Sequence, residues 1–306
     1  MIPADYLNKK TIPTDILELP GFEKKDIGAD VLRLDKIHPV ISGNKWFKLK
    51  NYFLDAIQKQ YKTIVTFGGA YSNHIVATAY AANQAGFESI GIIRGEEPPR
   101  PSYTLQKARQ YGMKLQFISR KAYRDIREMD FQHNGLEKFA GAYIIPEGGY
   151  GIEGIKGSEE ILQLVQKNKY SHIICAVGTG TMYMGLVNAS DHGQYIIGIS
   201  ILKGTTDLLP GFRQYLGDPQ KINYCRIQYS YHFGGYAKRK PELIDFMNRL
   251  YIQSGIPTDF VYTAKMFYAV EDLASKNYFQ AGSKLLLVHS GGLQGNQSLS
   301  PGTLNF

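Results

Sequence analysis

The chain has 306 residues, and its 35 Lys+Arg against 27 Asp+Glu give a formal charge of +8. With 43% hydrophobic and 20% charged residues, a disordered chain, a collagen-like repeat and an acidic-tail protein are excluded, and the length suits one large or two ordinary domains. Two cysteines, Cys175 and Cys225, are too few for a disulfide framework or a four-thiolate metal site, so a reducing compartment is expected. The opening MIPADYLNKK lacks the apolar run of a signal peptide, and no stretch approaches the roughly 18–20 apolar residues of a membrane span. The expected setting is cytoplasmic. The positive surplus permits nucleic acid or anionic ligands and specifies neither.

The first segment with chemistry is ISGNKWFKLKN, residues 41–51, with lysines at 45, 48 and 50 around the chain's one tryptophan. A basic face on a surface helix, or a nucleic-acid patch with an aromatic, is a plain reading of it. Yet Ser-Gly-Asn before Lys45 makes a turn that presents a lysine at the start of a helix. There the positive end of the helix dipole would push the amine toward its neutral, nucleophilic form. Lys45 is therefore a candidate Schiff-base lysine. A buried strand follows at 63–67, then a Gly68–Gly69 turn and a small, apolar helix over 73–86 closed by a glycine cap. Ser72 or Asn73 would cap that helix, or both would face a small carboxylate. A cap needs one residue, whereas Ser72, Asn73 and His74 stand together.

Further strands are expected at 88–94, 114–119 and 142–147, with helices over 103–111 and 123–139 between them. A glycine-rich stretch, EGGYGIEGIKG at 147–157, separates this series from a second one. There strands are expected at 171–177, 194–202, 222–228 and 284–290, with helices over 242–254 and 262–279. Eight strands alternating with helices predict an α/β protein with two open twisted sheets, mostly parallel and covered by helices on both faces. Thirteen of the 32 glycines fall in four clusters, three of them directly after a predicted strand, where open α/β sheets place their ligands. The clearest is VGTGTMYMG, in which Gly178, Thr179, Gly180, Thr181 and Met182 pass from a strand end into a helix. Glycines, hydroxyls and a helix N-terminus make a phosphate cradle. The spacing fits neither a dinucleotide fingerprint nor a P-loop, and a plain strand–helix turn is the alternative.

Near the C-terminus, DFVYTAKM offers Tyr262 beside Thr263, and LVHSGGLQG offers His289 and Ser290 at a strand end. Among 22 tyrosines most are core or surface residues, and His289 reads first as a satisfied core histidine. No H-E-x-x-H or Cys-His spacing is present, so no catalytic metal is expected.

Taken in order, SGNKWFKL, GGAYSNH, VGTGTMYMG, DFVYTAK and HSGG resemble the pyridoxal-phosphate enzymes of the 1-aminocyclopropane-1-carboxylate deaminase and D-cysteine desulfhydrase family, with the tryptophan-synthase-β-like fold. The resemblance runs from about Ile41 to Gly295. It implies pyridoxal 5'-phosphate as cofactor, with Lys45 joined to it and the loop Gly178–Met182 as its phosphate cup. Asn73 matches the partner of the cofactor's phenolic oxygen, Ser72 and His74 match substrate-carboxylate positions, and Tyr262 and Tyr236 match two active-site tyrosines. It implies a larger cofactor domain of residues 1–51 and 156–306, a smaller α/β domain of 52–155 with the active site between them, and a homodimer. Nucleic acid and membrane are not expected partners; a small amino acid is.

Three departures bear on the substrate. The family's deaminases carry glutamate after the matched tyrosine, where Thr263 stands, and leucine before the last Gly-Gly, where Ser290 stands. Hydroxyls at both positions, with His74, follow the desulfhydrase-like pattern, although the IVATA after His74 lacks the family's usual arginine. A hydroxyl rather than a carboxylate at the cofactor's ring nitrogen would favour β-elimination of a good leaving group. The expected reaction is thus conversion of D-cysteine to pyruvate, ammonia and sulfide. Its alternatives are 1-aminocyclopropane-1-carboxylate deamination to 2-oxobutyrate, cofactor binding without turnover and, from the +8 and Lys238-Arg239-Lys240, a nucleic-acid module.

Overall fold

The computed structural model describes residues 12–128 and 139–306. Its first half runs β1 (Thr14–Ile16), β2 (Gly28–Leu32), α1 (Lys45–Gln58), β3 (Thr63–Gly69), α2 (Asn73–Ala85), β4 (Glu88–Arg94), α3 (Tyr103–Gln110), β5 (Lys114–Ile118), α4 (Arg120–Glu128) and β6 (Tyr143–Ile145). The second continues α5 (Ile152–Glu159), β7 (His172–Val177), α6 (Thr181–Ala189), β8 (Tyr195–Ser200), α7 (Leu209–Phe212), β9 (Cys225–Gln228), α8 (Pro241–Ser254), α9 (Thr263–Ser275) and β10 (Lys284–Val288).

These strands form two open sheets. One has the order β5-β4-β3-β6, all parallel, and the other β1-β2-β10-β7-β8-β9, parallel except at its β1 edge. The central strands of the larger sheet are apolar on both faces, as a doubly covered parallel sheet requires. Ile173, Cys175 and Val177 of β7 enter one core with residues of α1, α5 and α6. Ile174 and Ala176, which alternate with them, enter the other core with α8 and α9. Leu286 and Val288 against Leu285 and Leu287 divide β10 in the same way.

All eight expected strands are present, and the described residues add two, β1 and β2. The first is only three residues long, and the second, GADVL, opens on a glycine and carries an aspartate, so neither gives a clear apolar pattern. The strand expected at 222–228 is shortened to β9 because Pro219–Tyr224 form a 3-10 helix, with Asp218 accepting the Gln220 N–H. The helix expected over 123–139 begins earlier, at Arg120, and its residues 129–138 lie outside the described residues. Gly86 caps α2 in the left-handed conformation, φ 75°.

Helix α1 buries Trp46, Phe47, Leu49, Tyr52, Phe53 and Ala56 and packs on α5 at backbone distance. A Cβ on Gly157 would lie 1.9 Å from the Phe47 carbonyl oxygen. Behind the end of β10, Arg33 joins Asp15 and Asp35, each at 2.6 Å. His289 is fully buried, with Nε2 2.8 Å from the Pro257 carbonyl and Nδ1 3.3 Å from Asp35. Burial alone would raise the Asp35 carboxyl, but the Arg33 hydrogen bond and the His289 charge hold it below its ordinary value. His289 thus serves the core. Among the described residues no helix is long and apolar enough to cross a membrane.

The α1–α5 contact leaves no room for a side chain, so Gly157→Ala should cost about 2 kcal/mol, as overpacking does. Urea unfolding measures this, and an unchanged midpoint would show that the contact is loose.

Candidate active site

A cavity of about 820 Å³ opens at the carboxyl ends of β3, β4, β7, β8 and β10, the ligand position of open α/β sheets. Both sheets contribute to its walls. Of the residues expected at the site, Lys45, Ser72, Asn73, His74, Gly178, Thr179, Gly180, Met182, Tyr236, Tyr262 and Ser290 line it. Thr181 and Thr263 do not; both are fully buried behind the wall.

Lys45 is placed by a close backbone contact. Gly43 has φ +67°, and a Cβ there would lie 1.8 Å from the Ser290 carbonyl oxygen. The Asn44 N–H donates to that same oxygen at 3.1 Å, so α1 starts directly on the end of β10. Lys45 Nζ donates to Asn44 Oδ1 at 2.7 Å and lies 6.0 Å from the centre of the Tyr262 ring. Burial lowers its pKa to about 8, against the opposing charge of Asp259. The sequence suggested the helix dipole as the cause; desolvation of the ammonium is what acts here.

Lys48, one turn along the same face of α1, was missed in the sequence. Burial, then the charge of Lys45, lowers it to about 7. Among the described residues neither lysine has a carboxylate partner. Lys50 instead pairs with Glu160 at 2.6 Å, and Trp46 is buried. The basic segment therefore divides, with two lysines facing the cavity and one in a surface ion pair.

On the same cavity β7 ends at Val177 and α6 begins at Thr181. Gly180 bridges the two at φ +85°, where a Cβ would collide with Phe212 at 2.2 Å. The first-turn amides of α6 have no partner within the helix, and that turn carries no acidic residue. The Thr179 and Thr181 hydroxyls lie 3.0 Å apart, so Thr181 acts through its neighbour and its backbone. Glycine, open amides, a hydroxyl and the Lys48 cation fit a phosphate group.

The wall from the smaller sheet is the turn from β3 into α2. Ser72 holds the N-cap position of α2, yet its side chain makes no capping bond. His74 is more constrained. The Thr66 hydroxyl donates to the Ile145 carbonyl at 2.8 Å, so His74 Nε2, also 2.8 Å from Thr66 Oγ1, must be the donor of that pair. Burial and the two lysines push the ring down to about 3, so it is neutral and its N–H is committed to Thr66. A substrate carboxylate, the role expected for His74, would find no ring N–H there. Among the described residues Nδ1 is a buried acceptor without a partner.

Tyr262 packs against the cup: a Cβ on Gly178 would lie 3.3 Å from Tyr262 Cε1. Its ring meets that of Tyr236 edge-on at 6.1 Å. Burial raises both phenols, so both are neutral O–H groups near pH 7. Beneath them is Asp259, also missed in the sequence. Its Oδ1 accepts the N–H groups of Val261 and Tyr262, and its Oδ2 accepts the N–H and hydroxyl of Thr263 at 3.0 and 2.7 Å. Thr263 Oγ1 also accepts the Asp259 N–H at 2.8 Å. The Thr263 hydroxyl, expected to face substrate, is thus spent on Asp259. The signal was present in D-x-x-x-T ahead of a helix, a capping pattern. Arg94 and Glu147 of the smaller-sheet side also reach the cavity.

The site pairs a buried amine of lowered pKa with a phosphate-binding turn at the ends of parallel strands, the donor set that pyridoxal phosphate requires. A family model described as "Pyridoxal-phosphate dependent enzyme" matches residues 7–291. A Pyrococcus abyssi protein named "Putative 1-aminocyclopropane-1-carboxylate deaminase" is 32% identical, over 92% of this chain and 90% of its own. An Arabidopsis thaliana protein named "Bifunctional D-cysteine desulfhydrase/1-aminocyclopropane-1-carboxylate deaminase, mitochondrial" is 26% identical, over 96% and 80%. A crystal structure of "the ACC deaminase homologue" superposes with a TM-score of 0.76 at 25% identity, over 93% and 90%. The chain belongs to the pyridoxal-phosphate-dependent enzymes, in the family of 1-aminocyclopropane-1-carboxylate deaminases and D-cysteine desulfhydrases.

An amine must be neutral to attack the cofactor's aldehyde, and its neutral fraction grows as pH rises through its pKa. The rate at which apoprotein captures pyridoxal phosphate should therefore climb with a midpoint near pH 8. Stopped-flow absorbance measures this, and a midpoint near 10.5, the ordinary lysine value, would refute the desolvated amine. Lys48→Met should weaken cofactor binding about tenfold or more, the weight of a charge-assisted hydrogen bond. Equilibrium dialysis gives the constant; unchanged affinity would remove Lys48 from the phosphate site.

Proposed function

We propose that the protein is a D-cysteine desulfhydrase-like lyase, removing the thiol of D-cysteine or a similar small β-substituted amino acid and yielding pyruvate, ammonia and sulfide. The observation that carries this reading lies at the end of β10. There the wall offers the Ser290 hydroxyl, while Asp259, whose Oδ2 would be 2.9 Å from a Cβ on Gly292, is already saturated with donors. When bound, pyridoxal phosphate supplies the electron sink for the α-carbon. With Ser290 and no free carboxylate among the described residues on that wall, the protein would supply no acid there to a bound cofactor, a setting that would suit loss of a thiol better than opening of a cyclopropane.

The chain's own groups divide the remaining work. Lys45 Nζ, whose pKa burial lowers to about 8, would take the α-proton. Lys48, Thr179 and the amides at the start of α6 hold the phosphate. Ser72, whose hydroxyl is free of capping, and Asn73 serve the substrate carboxylate at the positive end of α2. Tyr262 and Tyr236, held as neutral phenols, present O–H groups to the departing sulfur. The α-proton and the thiol leave, and water then displaces the nitrogen as ammonia.

The relatives' names support either activity, so a direct comparison is the test. D-Cysteine, L-cysteine and 1-aminocyclopropane-1-carboxylate are each incubated with holoenzyme and assayed for sulfide, pyruvate and 2-oxobutyrate. Sulfide and pyruvate from D-cysteine are expected; 2-oxobutyrate from the cyclopropane without sulfide from either cysteine would replace this reading with the deaminase. Tyr262→Phe should lower kcat about 10²-fold, the lower range for a proton-transfer group. An unchanged kcat would leave Tyr262 a packing role only.

A further inference from the structure

We propose that Lys265 is a positioning residue, whose buried ammonium holds the 232–237 loop so that Tyr236 meets Tyr262 at the cavity wall. The proposal rests on the cavity being the active site. Lys265 lies on α9 and is fully buried. Its Nζ donates to the carbonyls of His232 and Gly235 at 2.9 and 2.8 Å. Among the described residues it has no carboxylate within ion-pair distance, so a buried cation spends its donors on a single loop. Burying an ammonium is costly unless its donors are used, and here their use fixes that loop. Burial lowers the amine to about 8, opposed by the charge of Asp259.

The loop needs such a hold. Phe233, Gly234, Gly235 and Ala237 all have positive φ, at 50°, 96°, 115° and 53°. For Phe233 and Ala237 this region is unfavourable, and such backbone persists only where its surroundings over-determine it. The Phe233 ring meets Tyr268, one turn beyond Lys265 on α9, edge-on at 4.9 Å. The Gly235 and Lys238 amides close the turn on the carbonyls of His232 and Gly235, the two oxygens that Lys265 holds. Tyr236 stands between these left-handed residues and is thereby turned to the cavity. One helix thus sets both tyrosines, with Asp259 fixing the backbone of Tyr262 at its start and Lys265 fixing the loop of Tyr236 one turn later.

The test compares holoenzymes carrying Lys265→Met, Tyr236→Phe and both. In Lys265→Met, amide hydrogen exchange over residues 233–238 should accelerate at least tenfold, while exchange within α9 and the visible absorbance of bound cofactor stay as in the parent. On whichever amino acid the enzyme turns over, Lys265→Met should lower kcat/KM about tenfold, and by less than twofold in the Tyr236→Phe background, because the tether acts through Tyr236. Unchanged loop exchange, acceleration spread through α9, or fully additive losses would each overturn the proposal. If Lys265→Met does not fold, Lys265→Arg carries the same test, since a longer, planar group cannot reproduce both bonds. Absence of turnover in the parent would count against the active-site reading alone, and the exchange data would still decide the tether.

Discussion

The site depends on the approach of Gly43 to the Ser290 carbonyl. Where the end of a parallel strand and the start of a helix meet without a side chain between them, Lys45 is set into the cavity wall and its amine is desolvated. That desolvation makes the amine reactive near neutral pH. The same contact places Ser290 on the wall and, through Asn44, gives the amine a neutral hydrogen-bond partner. Packing on α5, which requires Gly157, holds α1 in this position.

The charges of the site follow from burial. Among the described residues Lys45 and Lys48 crowd one end of the cavity without an ion-pair partner, an arrangement that favours anions and, added to burial, keeps His74 neutral. The buried carboxylate of Asp259 is consumed by amides and a hydroxyl. The cavity is therefore ready for a phosphate and a carboxylate, while the wall at Ser290 offers no acid. The overall charge of +8 says little of this, since Lys50 and several other cations are spent in surface ion pairs.

The parallel strands were legible because each is a short apolar run bounded by turn residues, and β4 matches its expected limits at both ends. The glycine clusters located the cavity for a related reason: backbone must approach backbone where Gly291 meets Gly43, and Phe212 must pass close to Gly180. What sequence could not give was the commitment of polar groups to distant partners. Thr263 looked like a substrate contact until Asp259 claimed its hydroxyl, and His74 looked like a donor until Thr66 and Ile145 fixed its N–H. Lys48 and Lys265 look like surface lysines in a sequence, since nothing local says that a cation is buried. The edge strand β1 and its neighbour β2 escaped because three to five residues, with a glycine and an aspartate, carry too little pattern.

Borohydride reduction of holoenzyme, followed by digestion and mass spectrometry, tests directly whether the amine at the junction of α1 and β10 carries the cofactor. The cofactor's mass is expected on the peptide containing Lys45, localised to that residue. A label on Lys48 or Lys265, or on no lysine, would contradict this.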